Sequence, residues 1–354
     1  MNQFDIIVVG AGPAGATCAA LCAAAGKRVA LLERAIFPRD KVCGDCLNPA
    51  CWPVLDRLGV SDRVAALPQA RLEAVEFIGT DGRTLRFPLN PNARGEIAVK
   101  RRHLDDLLLD RARELGAHVE TGAAVTRVAP GWRVAVGERI FEAPQLVAAD
   151  GRNSTVARLL GLLPPSRKDR LGLQTHLPQP ADFGNKVAMH FLPRGYCGVA
   201  AIGENLLNVC LVARPAHLEE LKAWTRARFT LEEEPEWRTI APLSRKAIAP
   251  RRGDLLLAGD AARVVEPFTG EGIYYALASG ALAAEHLIRG RLADYPAAHA
   301  ALYRGRLWIN QLARLAVLHP FATTRVLALT QRCPGLLRLL TSRVIGSSHL
   351  APGG

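Results

Sequence analysis

The 354-residue chain contains no run of about 18 consecutive apolar residues, the length at which a segment becomes a candidate for crossing a bilayer. Its first residues also lack the charged lead and apolar core of a secretory signal. A cytoplasmic protein with reduced thiols is therefore predicted. Glycine (31 residues) and proline (23 residues) are too few to indicate disorder, and 49% of the residues are apolar. These values favour an ordinary folded chain of one large domain or two.

Acidic residues are missing from residues 296–354, although this segment carries seven arginines, more than half of the net charge of +12. The arginines alternate with leucine, alanine and valine, a pattern typical of helices with one apolar face. A basic helical C-terminal segment is predicted. It either packs as a subdomain with a basic outer face or makes peripheral contact with an anionic membrane. Nucleic acid is not expected as a partner.

The eight cysteines do not provide the two close pairs that a zinc or iron–sulfur site needs. Cys43 and Cys46 form one C-x-x-C pair, but no second pair accompanies it, so no metal site is predicted. A redox disulfide between these two thiols and simple packing remain alternatives to a chemical role for Cys43.

The first 33 residues have the pattern of a dinucleotide-binding β-α-β unit. A continuous apolar run predicts a buried strand, and it leads into Gly10, Gly12 and Gly15 at G-x-G-x-x-G spacing. These glycines permit, in order, a tight turn, approach of the backbone to a pyrophosphate, and close packing of helix on strand. A helix from Ala14 would face the phosphates with its first amides, and Glu33 stands where a carboxylate binds an adenosine ribose.

A second G-x-G-x-x-G motif after a strand is missing, so no separate nicotinamide-binding domain is encoded. Two later segments carry other motifs. A strand is predicted to end at Asp150-Gly151, followed by a helix at 155–160, and another buried strand ends at Gly259-Asp260. A Pro-Phe-Thr-Gly-Glu-Gly sequence beginning at Pro267 precedes a predicted long helix at 274–287.

These motifs resemble those of para-hydroxybenzoate-hydroxylase-type flavoproteins, and more closely those of the geranylgeranyl reductase family. That family combines the glycine-rich loop with K-x-C-G, R-x-x-L/F-D, Asp-Gly, Gly-Asp and P-x-x-G-E-G segments. The matching positions are Lys41 to Gly44, Arg101 to Asp105, Asp150-Gly151, Gly259-Asp260 and Pro267 to Gly272. The resemblance implies an α/β fold: a Rossmann-like FAD-binding domain, an interleaved β-sheet substrate domain and the C-terminal helical segment.

The resemblance also implies a role for each segment toward FAD. Asp260 would accept a hydrogen bond from a ribityl hydroxyl, Arg101 would reach the polar chain of the flavin, and Asp150 would lie near the pyrophosphate. Amides around Gly270 and Gly272 would face the pyrimidine edge, where the positive end of a helix favours the reduced ring. A helix cap for Asp260 and a surface charge for Arg101 are the alternatives. The full set of implied FAD contacts is Gly10, Gly12, Ala14, Gly15, Glu33, Arg34, Cys43, Gly44, Arg101, Asp150, Gly259, Asp260, Pro267, Gly270, Glu271, Gly272 and Ile273.

The two layers are predicted to alternate along the chain. Segments 1–70, 97–165 and 246–295 are assigned to the FAD-binding domain, 71–96 and 166–245 to the substrate sheet, and 296–354 to the C-terminal segment. Alternating polarity on both sides of Asp81-Gly82 predicts a hairpin, and further strands are predicted at 186–191, 198–201 and 206–212.

The reaction implied by the resemblance is hydride transfer from flavin N5 to a C=C bond of a hydrophobic isoprenoid- or polyketide-like substrate, or the reverse desaturation. NAD(P)H or a reductase partner protein would supply the electrons. Cys43 and Tyr196 are the candidate proton donors. A lowered pKa of the Cys43 thiol would need a cation, and Lys41 is close in sequence. Packing at a sheet edge is the alternative for Tyr196.

One aromatic segment of the reductase family is missing. Where that family has Y-x-W-x-F-P, this chain has Gly-Tyr-Cys-Gly-Val-Ala at 195–200, so only Tyr196 is retained. The main alternative is a flavin monooxygenase that hydroxylates an aromatic or polyketide-like substrate through a C4a-hydroperoxide, because it shares the fold. A halogenase is disfavoured by the absence of W-x-W-x-I-P. An electron-transfer flavoprotein is disfavoured because the tail has a single cysteine.

Overall fold

The computed structural model describes residues 2–90, 94–165 and 170–332. The helices are α1 (Pro13–Ala24), α2 (Trp52–Leu58), α3 (Ser61–Ala65), α4 (Arg101–Glu114), α5 (Thr155–Leu159), α6 (Leu218–Phe229), α7 (Gly272–Arg289), α8 (Tyr295–Leu302), α9 (Leu307–Leu318) and α10 (Pro320–Arg332). The strands are β1 (Asn2–Gln3), β2 (Ile6–Val9), β3 (Val29–Leu32), β4 (Cys46–Leu47), β5 (Gln69–Arg71), β6 (Ala74–Ile78), β7 (Thr84–Pro88), β8 (Ile97–Val99), β9 (His118–Glu120), β10 (Val125–Ala129), β11 (Arg133–Val136), β12 (Arg139–Glu142), β13 (Gln145–Ala148), β14 (Leu171–Pro178), β15 (Lys186–Leu192), β16 (Gly195–Ala201), β17 (Leu206–Ala213), β18 (Arg238–Ile240), β19 (Arg251–Arg252) and β20 (Leu255–Leu257).

A mainly parallel sheet with the strand order β19-β20-β13-β2-β3-β9 forms the first layer. Strands β2, β3 and β20 are buried along their whole length, as expected for parallel strands covered on both faces. Helices α1, α4 and α7 cover one face, and the small sheet β1-β12-β11-β10 covers the other. The three predicted strands are confirmed: β2 ends at Val9, and β13 and β20 end two residues before Asp150-Gly151 and before Gly259-Asp260 respectively. The small covering sheet is not predicted by the sequence, since its exposed side interrupts the apolar pattern.

A second sheet has the order β18-β14-β17-β16-β15-β6-β7. The hairpin of β6 and β7 and the three later strands are confirmed, although β16 begins three residues earlier than predicted. Strand β6 pairs with β15 in parallel, which joins segment 71–96 to segment 166–245. The interleaved second sheet predicted from the sequence is therefore present.

Helices α9 and α10 close one side of the space between the layers. Val317 packs against Met189 and Tyr196 of the second sheet. Among the described residues, no single helix is long and apolar enough to cross a membrane. The segments Trp308–Leu318 and Pro320–Leu329, bent by 109°, meet the criteria of length and composition only when taken together. Residues 333–354 of the predicted basic tail lie outside the described residues.

Candidate functional site

A cavity of about 920 Å³ lies between the parallel sheet, the second sheet and helices α9 and α10. Its volume is in the upper part of the range usual for small-molecule and cofactor sites. The predicted site residues that line it are Gly12, Ala14, Cys43, Gly44, Arg101, Tyr196, Gly259, Asp260, Pro267, Gly270, Glu271, Gly272 and Ile273. Sequence segments separated by more than 250 residues thus meet at one site.

The glycines of the site divide into two kinds. Gly10 has a φ of +98°, and a Cβ on Gly15 would stand 1.8 Å from the carbonyl oxygen of Gly10, so both are required by the fold itself. Gly12, Gly44 and Gly272 are different, since their φ angles are ordinary. A Cβ on Gly12 would stand 3.8 Å from Arg39, and a Cβ on Gly44 or Gly272 would have no protein atom within 4 Å. All three face the cavity. The space beside them is the space a bound dinucleotide requires, so these positions fit FAD.

Glu33 ends the second strand of the dinucleotide unit and is buried. Its carboxylate accepts hydrogen bonds of 2.8 Å from the backbone amides of Ala11 and Ala35, which fixes the glycine-rich loop. Each carboxylate oxygen has a second lone pair, so this anchoring leaves acceptor capacity for a ribose hydroxyl. Arg34, the next residue, is exposed to solvent.

Positive charge is concentrated on one wall of the cavity. The Arg101 guanidinium forms two 2.7 Å hydrogen bonds with the buried Asp105, and Arg39 lies 3.0 Å from the same carboxylate. Burial and then the charge of Arg101 lower the pKa of Lys41 to about 8. A pyrophosphate would relieve this repulsion, which is a second respect in which the site fits FAD. Since Arg101 is buried, the alternative of a surface charge is wrong.

The two aspartates of the strand ends have different surroundings. Asp260 lines the cavity and accepts a 3.1 Å hydrogen bond from Arg152. The Asp150 carboxylate accepts a 3.0 Å hydrogen bond from the Val156 amide at the start of α5, while Gly151 beside it lines the cavity with a φ of +82°. Asp260 therefore remains the stronger candidate for direct contact with FAD.

Helix α7 begins at the cavity wall, so its positive end faces the site. Gly270, with a φ of +67°, makes the turn that precedes it. The Glu271 carboxylate is bound by protein side chains. It accepts a 2.9 Å hydrogen bond from Arg306 and a 3.4 Å hydrogen bond from Asn310. Glu271 thereby ties the start of α7 to α9.

Cys43 is held by its backbone. Its carbonyl oxygen accepts hydrogen bonds from Gln174 (2.9 Å), Asn208 (2.8 Å) and Cys210 (3.3 Å), all on the second sheet. Burial raises the pKa of the Cys43 thiol, while the charge of Arg101 opposes the shift, so the thiol is protonated at neutral pH. The cation beside the thiol is Arg101 rather than the Lys41 suggested by the sequence. Cys43 and Cys46 are free thiols, and the described residues contain no cluster arranged to hold a metal ion.

Tyr196 lies inside the second sheet, because β16 pairs with both β15 and β17. The sheet-edge alternative for this residue is therefore wrong. Its ring meets Phe268 edge-on, with centroids 5.4 Å apart, and its hydroxyl has no hydrogen-bond partner among the described residues. Burial raises the pKa of Tyr196 well above its usual value. A buried phenol without a partner on the wall of a cavity is available to a ligand.

Two carboxyl groups of the cavity wall have no signal in the sequence. Burial raises the pKa of Glu96 to about 7. Asp45, held at a φ of +60°, is buried 3.5 Å from His176, and burial raises the pKa of Asp45 as well. Both pKa values depend on tertiary burial, and no local motif encodes that burial.

Glu96 is expected to make stability depend on pH. Its pKa is about 7 in the folded chain and near 4.5 when exposed, so the folded state holds the proton more tightly. The contribution of Glu96 to the free energy of unfolding is therefore complete below pH 4.5 and is lost as the pH rises through 7. The loss amounts to at most about 3 kcal/mol. Urea unfolding from pH 4.5 to 8 should show Glu96→Gln gaining stability relative to wild type as pH rises. A constant difference between the two proteins would contradict the assignment.

Comparison with known proteins places the chain among flavoproteins. Residues 3–184 match the family described as FAD binding domain. The chain is 30% identical to menaquinone reductase of Mycolicibacterium smegmatis, with 90% of this chain and 86% of that protein aligned. It is also 30% identical to geranylgeranyl diphosphate reductase of Rhodobacter capsulatus, over 88% and 83%. The solved structure of the flavin-dependent brominase Bmp2 has the same fold (TM-score 0.81, 20% identity, 99% and 96% covered).

Proposed function

Since the chain belongs to the FAD-binding-domain family and is, like its reductase relatives, an FAD-dependent oxidoreductase, we propose a specific reaction for it. The protein reduces a C=C bond of a long apolar, isoprenoid-like substrate. The observation that carries this proposal is the cavity itself. One wall consists of the glycines and charged groups that fit FAD, and the opposite wall is almost entirely apolar. A single space therefore offers a polar wall for the cofactor and an apolar wall for the substrate.

The apolar wall has aromatic side chains even though the chain lacks the Y-x-W-x-F-P segment of the reductase family. Gly198 lines the cavity from β16, and the side chain of Met189 packs over it, 3.2 Å from the position of a Cβ. Aromatic surface comes instead from Phe77, Phe191 and Phe268, whose ring centroids are 5.6 to 6.4 Å apart. These rings suit alkyl and alkenyl groups rather than polar substrates.

Bound FAD would supply the hydride, held by the glycine-rich loop, Glu33, the positive wall and Asp260. The chain's own task is to deliver the matching proton. Cys43 and Tyr196 are both protonated at neutral pH, so each can donate. Glu96 has a pKa of about 7, the value at which proton donation is most effective near neutrality. We infer that NAD(P)H or a reductase partner protein supplies the electrons.

An anaerobic single-turnover experiment tests the proposal without needing the natural electron donor. The flavin is reduced with dithionite and mixed with geranylgeranyl diphosphate or with menaquinone. Reoxidation of the flavin is expected with one of them, together with a product that keeps two added hydrogens after exposure to air, where a quinol would revert to the quinone. Hydroxylated product that forms only after oxygen is admitted would instead establish the monooxygenase alternative. Reoxidation by oxygen alone, with neither compound reduced or hydroxylated, would exclude both reactions on these two compounds.

Cys43→Ala is expected to lower the rate of substrate reduction by about 10² to 10⁴, the usual contribution of a positioned acid. The loop should keep its position, because the hydrogen bonds from the second sheet go to the carbonyl oxygen of residue 43. FAD content and the rate of flavin reduction should therefore not change. Cys46→Ala, in the same C-x-x-C pair, is the control. Equal rates for wild type and Cys43→Ala would exclude the thiol as the donor.

A further inference from the structure

Exposed apolar side chains are concentrated on helices α9 and α10. On α9, Trp308, Leu312 and Leu315 follow one another at helical spacing on one face. On α10, Phe321 is 61% exposed and Leu329 is 54% exposed. Large apolar side chains at this exposure, close together, mark a surface that is covered by something else.

The cavity opens at this same surface. Leu312, Leu315 and Val326 are each about half exposed to solvent and also line the cavity. A ligand would therefore pass between α9 and α10 to reach the interior. Its path would run over apolar side chains.

The two helices that form this surface carry charge of one sign. The last acidic residue of the chain is Asp294, and Arg304, Arg314 and Arg325 are exposed on or beside the two helices. Apolar side chains and arginines exposed on the same two helices complement anionic lipid, in which acyl chains lie beneath negative headgroups. A second copy of this chain would bring the same positive charge into contact with itself.

We propose that this face of α9 and α10 docks on the surface of an anionic lipid bilayer. The helices contain 12 and 13 residues and meet at 109°, so each is too short to cross the hydrocarbon core of about 30 Å and lies in the interface instead. The opening of the cavity then faces the acyl chains. If the proposed function holds, an isoprenoid-like substrate passes from the bilayer into the cavity without crossing water.

Vesicle cosedimentation of the full-length FAD-bound protein tests the docking surface without any turnover. The vesicles are phosphatidylcholine alone or with about one phosphatidylglycerol in three lipids. Phe321→Gln/Leu329→Gln removes apolar side chains outside the cavity lining, and Arg304→Gln/Arg325→Gln removes charge. Ile140→Gln/Leu159→Gln changes two exposed apolar residues elsewhere and is the control.

Wild type and the control are expected to bind anionic vesicles at low salt, and each of the other two variants to bind about tenfold more weakly or worse. FAD content should be equal in all four proteins. No binding by wild type, or equal binding by all variants, would overturn the proposal. The proposal would also be overturned if analytical ultracentrifugation showed a dimer and Phe321→Gln/Leu329→Gln dissociated it. The face would then be a self-association surface. Because no outcome involves reduction of a substrate, failure here is separable from failure of the proposed function.

Discussion

Gly280→Ala is expected to destabilise the protein by about 3 kcal/mol or more and to prevent it from retaining FAD. Gly280 lies in α7 where that helix crosses α1. A Cβ there would stand 2.2 Å from the carbonyl oxygen of Ala14 and 2.9 Å from its carbonyl carbon. Both atoms are backbone, so α1 and α7 would have to separate. Ala14 adjoins the glycine-rich loop, and the separation would displace that loop.

Helix propensity alone predicts the opposite sign, since alanine in a helix interior is favoured over glycine by about 1 kcal/mol. The matched control is Gly272→Ala in the same helix, where a Cβ would meet no protein atom within 4 Å. Urea unfolding and the ratio of flavin to protein absorbance provide the two readouts. Gly272→Ala should keep its stability and lose FAD affinity only, because there the space belongs to the cofactor. Equal stability of Gly280→Ala and wild type would disprove the crossing argument.

Asp105→Asn is expected to lower the free energy of unfolding by about 3–5 kcal/mol, the usual effect of breaking a buried ion pair from one side. Asp105 is fully buried and is the shared partner of Arg39 and Arg101. Neutralising it leaves two guanidinium groups uncompensated beside the cationic Lys41. The result follows from burial, because the same carboxylate in water would contribute little.

Asp110→Asn is the control for this prediction. Asp110 lies on the same helix and pairs with Arg113 at 2.6 Å, but both side chains are nearly half exposed, so a change of at most about 1 kcal/mol is expected. Addition of excess FAD should restore part of the stability lost in Asp105→Asn, since a pyrophosphate supplies negative charge to the same arginines. Similar losses in the two variants would show that Asp105 is not the centre of this cluster.

The dinucleotide unit could be predicted in detail because its information is local. Gly10, Gly12 and Gly15 act within a few residues of one another, and Glu33 follows at a fixed distance along one β-α-β unit. The helix after the motif was likewise predicted, at 274–287, and it begins two residues earlier, at Gly272. The interleaved sheet could also be predicted, since the hairpin at Asp81-Gly82 has its own turn signal.

The residues that sequence reasoning missed act over long separations. Gly280 resembles any other glycine in an alanine-rich helix until its contact with Ala14, 266 positions earlier, is seen. Glu96 resembles a surface carboxylate, and its pKa of about 7 arises only from burial against segments distant in sequence. Tyr196 was found by family pattern, but its place in the interior of the sheet depends on which strands flank β16. Spacing motifs do not report contacts of this kind.

The strand order of the parallel sheet has a consequence for biosynthesis. β2 gains its neighbour β13 only when residue 148 has been made, and β13 gains β20 only when residue 257 has been made. During translation β2 can pair early with β3, but its other edge stays open until β13 is made, more than a third of the chain later. Contacts between residues so far apart slow folding and leave apolar strands exposed to aggregation. An N-terminal fragment containing the glycine-rich loop should consequently be a poor FAD binder, because the cradle is completed only when β20 has been made.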